Sequence, residues 1–69
     1  MVQKRLLYGE IAKAGMSQAE VARRIGITPK TFYNKVARGV FGSDEIVKIV
    51  EVCGISDPLP IFFPEFVSR

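Results

Sequence analysis

The chain predicts an all-α fold, a small bundle of four to five helices, and three observations carry that expectation. Apolar residues recur at helical spacing along most of the 69 residues. Capping signals punctuate those stretches: Ser17 ahead of Glu20, Thr28 ahead of Pro29, and glycines where the periodicity stops. Around Gly26, in IGITPKTFYNK, one helix stops and the next starts within about four residues, which suits two helices packed at a corner.

Residues 3–14, QKRLLYGEIAKA, place Leu7, Ile11 and Ala14 at helical spacing with Leu6 flanking them. Gly9 inside costs roughly 1 kcal/mol relative to alanine, and Gly15 is the natural left-handed terminator. The second start is the best marked. Ser17 is its N-cap, Glu20 completes a capping box, and Met16 can pack on Val21 as a hydrophobic staple. The helix runs through QAEVARRI, with Val21, Ala22 and Ile25 inward and Arg23 and Arg24 outward, until Gly26 ends it.

Thr28 is the next N-cap, and Pro29 takes the first helical position, where its missing N–H would be unpaired anyway. Phe32 can staple back onto Ile27, and Val36 extends the inward stripe. Two helices joined by about three residues with a glycine at the corner make a helix-turn-helix. The stretch GVFGS, residues 39–43, is expected as a loop with Phe41 against the core, and Ser43 as the cap of a fourth helix, DEIVKIVEVC. Its acidic first turn suits the helix dipole and Gly54 marks its end. EIVKIVEV also fits an alternating strand because it is rich in β-branched residues; the caps, together with Ile46, Ile49, Val50 and Cys53, decide for helix.

In ISDPLPIFFPEF, Pro58 and Pro60 fit only a first helical turn, and Pro64 should stop whatever forms. A short turn near 58–63 and a loose tail are expected. Ile61, Phe62, Phe63 and Phe66 carry more apolar surface than a small core needs, so Leu59 and Phe62 are expected inward and Phe63 and Phe66 in a homodimer contact. A chain this short supports one domain, residues 1–69, and buries only about 60% of its unfolded surface, which dimerisation would improve.

Composition excludes several classes of function. At 48% hydrophobic and 25% charged the chain is neither disordered nor a membrane protein. No apolar run approaches the roughly 20 residues of a span, and the charged start MVQKRLLYGE lacks a signal-peptide core, so a cytoplasmic location is expected. There is no histidine, and the single Cys53 supports neither a disulfide nor a structural zinc site, so it is expected as a small buried hydrophobe. No carboxylate cluster, paired nucleophile and base, or phosphate-cradling glycine loop is present. An enzyme, a cofactor, a metal and a small-molecule substrate are therefore not expected. Charge is more informative: residues 1–42 hold eight basic groups against two acidic ones, and residues 43–69 hold two against five. A basic front and an acidic rear suit a domain that turns one face to a polyanion.

The run Gln18 to Phe32, QAEVARRIGITPKTF, resembles the helix-turn-helix of the phage repressor and Cro class, the XRE family, in its leading Gln18, small Ala22, Gly26 at the turn, and apolar Val21, Ile25, Ile27 and Phe32. The resemblance extends through the acidic-capped fourth helix and CGISDP, and IFFPEF is similar to the end of short phage-encoded members. It departs at Lys35, where many members carry an apolar residue, at Arg38-Gly39, displaced by about one residue, and at VFGS, which lacks a frequent proline. The resemblance implies a lambda-repressor-like fold and a sequence-specific DNA-binding transcriptional regulator, a bacterial or prophage-encoded homodimer on double-stranded DNA. It implies base contacts from Thr28, Pro29, Lys30, Tyr33 and Asn34, and a phosphate contact from Gln18, with Arg23, Lys35 and Arg38 the next phosphate candidates. The alternative is a protein-interaction adaptor or antirepressor that keeps the fold without reading DNA.

Overall fold

Caps and glycines divide the chain into five helices in the computed structural model, which describes residues 1–67. They are α1 (Lys4–Lys13), α2 (Gln18–Ile25), α3 (Pro29–Arg38), α4 (Ser43–Cys53) and α5 (Leu59–Phe62), followed by a 3-10 turn at Pro64–Phe66. No strand occurs among the described residues, so the β-rich look of EIVKIVEV yields to its caps and to the burial of Ile49.

The boundaries follow local chemistry. Ser17 Oγ accepts from the Glu20 N–H at 3.1 Å, and Thr28 Oγ1 accepts from the Thr31 N–H at 3.2 Å, with Pro29 at the first position of α3. Two expectations at helix starts need correction. The Ser17 capping box is half-formed, because the Glu20 carboxylate takes a bond from Arg24 Nη2 at 3.0 Å in place of the Ser17 N–H. α4 is capped one residue early, by Gly42 and not Ser43. The Gly42 N–H donates to Glu45 Oε1 at 2.8 Å, so the acidic side chain of the first turn satisfies the N–H of the capping residue, while glycine offers no side chain to accept from the turn itself.

One hydrophobic cluster joins all five helices. Leu7, Val21, Phe32, Val36 and Ile49 are almost entirely shielded, and Met16 and Ile27 lie partly buried against them, as the staples require. The rings of Phe32, Phe41 and Phe62 pack in sequence, with centroids 5.5 and 6.3 Å apart, and tie α3 through its following loop to α5. α3 leans mainly on α2. The Cα radius of gyration, 11.1 Å, matches the roughly 11 Å expected of a folded chain of this length.

The tail differs most from expectation. Ile61 and Phe62 point inward, while Leu59 is 47% exposed, so the inward pair is shifted from the predicted Leu59 and Phe62. The reason is geometric: α5 is a single turn, too short for periodicity to reveal its face. Pro64 starts a 3-10 turn in addition to ending α5, so the described tail is ordered into structure. The first residues were also not anticipated as core. Val2 is buried, its N–H donates to the Gly39 carbonyl at 3.0 Å, and the Gln3 N–H donates to the Ile61 carbonyl at 2.7 Å. The Met1 ammonium pairs with Glu65. The chain start is thereby sewn to the end of α3 and to α5. Cys53 is half-buried, and burial first and Glu10 second push its thiol pKa up. No helix among the described residues is long and apolar enough to cross a membrane.

Candidate nucleic-acid interface

α3 is pinned by its buried side and presents the opposite one to solvent. Phe32 and Val36 anchor it in the core, while Lys30, Tyr33, Asn34, Ala37 and Arg38 are exposed. Positions 30, 34 and 37 recur at one helical turn, so Lys30, Asn34 and the small Ala37 form one stripe with Tyr33 and Arg38 on its edges. The Tyr33 ring packs edge-on against the buried Phe32 at 6.5 Å and 73°, which holds an exposed aromatic at the margin of the stripe.

The corner that aims this stripe is built from short-range forces. Gly26 ends α2 in the left-handed conformation, φ 91°, and its N–H closes on the Arg23 carbonyl while the Ile27 N–H reaches the Ala22 carbonyl at 3.0 Å. Ala22 is fully buried, and its small side chain lets the two helices approach. Thr28 stands at the head of α3 with its hydroxyl committed twice: it accepts from the Thr31 N–H and donates to Thr31 Oγ1 at 2.9 Å. Pro29 beside it is half-buried.

Charge around the stripe is positive. α3 carries Lys30, Lys35 and Arg38 and no carboxylate. Among the described residues Lys30, Arg38 and Arg23 of α2 have no carboxylate within ion-pair distance, whereas Arg24 is held by Glu20 and Lys13 by Glu10. Gln18 is half-buried at the first position of α2, where Ser17 satisfies the Glu20 N–H and the Gln18 and Ala19 N–H groups have no intrahelical acceptor. Such a terminus favours an anion.

One predicted phosphate candidate is placed differently from the others. Lys35 Nζ lies 3.2 Å from Glu45 Oε2, with the two side chains 31% and 20% exposed. Sequence reading treated Glu45 only as a favourable charge at the start of α4; a partner across a loop leaves no periodic signal. Ala37 was also missed, since a small apolar residue attracts no notice until the stripe around it is seen. Comparison with protein-family models, curated proteins and solved structures finds no match to this chain.

Proposed function

We propose that the chain is a sequence-specific double-stranded-DNA-binding transcriptional regulator of the phage repressor and Cro type, acting as a homodimer. The observation that carries this reading is the exposed stripe of Lys30, Asn34 and Ala37 on a helix anchored by Phe32 and Val36, with Arg38 on its edge and exposed Arg23 on α2, neither of which has a carboxylate within ion-pair distance among the described residues. A helix of this kind fits the B-DNA major groove, with its first turns nearest the base edges.

In this reading Lys30 donates to guanine O6 or N7, and Asn34 pairs bidentately with adenine N6 and N7, each alignment contributing about 1–3 kcal/mol of discrimination. Tyr33 reaches a phosphate or base edge from the margin. Thr28 and Pro29 offer their apolar atoms, suited to a thymine methyl, since the Thr28 hydroxyl is held in the cap. Gln18, with the α2 N-terminus behind it, and Arg23 and Arg38 hold phosphates and fix register without reading sequence. The exposed Phe63 and Phe66 join two copies, spacing their reading helices by about one DNA turn, roughly 34 Å.

Selection of bound sites from a random duplex pool tests the proposal. Enrichment of a palindromic site, bound with steep salt dependence, is the expected result. If no site is enriched and affinity for nonspecific DNA at low salt does not change with salt, the chain is instead an adaptor that binds protein.

A further inference from the structure

Resting on the DNA-binding reading above, we infer that Glu45 withholds Lys35 from the duplex, so that a carboxylate on α4 attenuates the grip of α3 on phosphate. Lys35 lies about 100° round the helix from Asn34, off the reading stripe. Its ammonium is engaged by Glu45 Oε2 at 3.2 Å. The other oxygen of that carboxylate, Oε1, is itself held by the Gly42 N–H at 2.8 Å. The anion is therefore held by the backbone at Gly42 as well as by Lys35.

Shielding strengthens the arrangement. With 31% and 20% of the two side chains exposed, the pair is less open to counterions than the surface pair Lys13–Glu10, in which the lysine is 76% exposed. For Lys35 to meet a phosphate it must leave an acceptor that the α3–α4 loop keeps in place. Among the described residues Arg23, Lys30 and Arg38 face no such competition. Lys35 therefore adds nothing to the number of phosphates neutralised, and Glu45 is a positioning residue that sets that number.

The test compares slopes of log Kobs against log[salt] on a nonspecific duplex, read by fluorescence anisotropy, for variants shown to be folded by circular dichroism. Glu45→Gln keeps an oxygen for the Gly42 N–H and removes the charge. Asp44→Asn removes the same charge one residue away, where the carboxylate has no basic partner within ion-pair distance among the described residues. Glu45→Gln should steepen the slope by about 0.9 beyond Asp44→Asn, the increment for one more phosphate. Lys35→Gln alone should leave the slope unchanged, and added to Glu45→Gln it should return the slope to the Asp44→Asn value.

Equal slopes for Glu45→Gln and Asp44→Asn would overturn the inference, as would a shallower slope for Lys35→Gln in the otherwise wild-type chain. If Lys35→Gln does not fold, acetylation kinetics at Lys35 read the same release without DNA. Several-fold faster reaction in Glu45→Gln is expected, and equal rates would count against the pairing. A wild-type chain with no salt-dependent affinity defeats the DNA-binding reading and this inference with it. A steep wild-type slope with indistinguishable Glu45→Gln and Asp44→Asn variants defeats the inference alone.

Discussion

Asn34 and Arg23 separate two kinds of residue that exposure alone makes look alike. Both are solvent-facing, but Asn34 lies in the stripe on α3 and Arg23 on α2. If the proposed DNA reading holds, replacing Asn34 with alanine should weaken binding to the selected site by about 1–3 kcal/mol and scarcely alter binding to random DNA, as mobility-shift titrations on both duplexes would show. Arg23→Gln should weaken both equally and make the log–log salt slope shallower by about 0.9. Which side chains face water was largely legible in the sequence, since Phe32 and Val36 define the buried side and the rest of α3 follows by rotation. Which polar group each one meets was not. Arg24 finds Glu20 at a spacing a helix makes obvious, but Lys35 finds Glu45 across a loop whose path no local rule supplies.

At the scale of the elements, the α2–α3 corner depends on two residues with separable effects. A methyl added at Gly26 meets nothing within 4 Å, so Gly26→Ala carries only the cost of left-handed backbone. That cost is about 1–2 kcal/mol, and urea denaturation should find Gly26→Asn milder because asparagine tolerates this region better. Thr28→Ala removes the oxygen that accepts from the Thr31 N–H and should cost about 0.5–2 kcal/mol in the same assay. The positions of α1 to α4 were readable because serine, threonine, proline and glycine act within a few residues of themselves. The start of α4 was misplaced because Ser43 carries a capping side chain, and only the folded loop shows the Glu45 carboxylate reaching back to the Gly42 N–H. For α5, a single turn between prolines, the sequence carried no stripe from which to choose Ile61 over Leu59.

Across the whole molecule, the core is thin enough for one side chain to decide folding. Phe32 is fully buried against Phe41, and truncating such a residue to alanine costs about 3–5 kcal/mol. Stability of about 0.05–0.15 kcal/mol per residue leaves a chain of this length little in reserve. Phe32→Ala should therefore be largely unfolded at 37 °C by circular dichroism, unless dimer formation or bound DNA restores it. If the proposed homodimer forms through the tail, Phe66→Ser should abolish the concentration dependence of sedimentation while leaving the helical spectrum intact, because Phe66 is 78% exposed and outside the core. The hydrogen bond from the Met1 ammonium, then one from its own backbone, holds the Glu65 carboxyl below the ordinary glutamate range. Its folded pKa is depressed, so the small stabilisation is present at neutral pH and is lost as pH falls through that lowered pKa, which acid titration of wild type against Glu65→Gln would read.

The doubly committed Thr28 hydroxyl has a calorimetric consequence. A helix whose first turn is already closed, and whose far side is wedged by aromatic rings, has no ordering left to do when a ligand arrives. If α3 is the docking element, titration calorimetry should return a heat-capacity change no larger than the contact area demands, without the excess that marks folding on association.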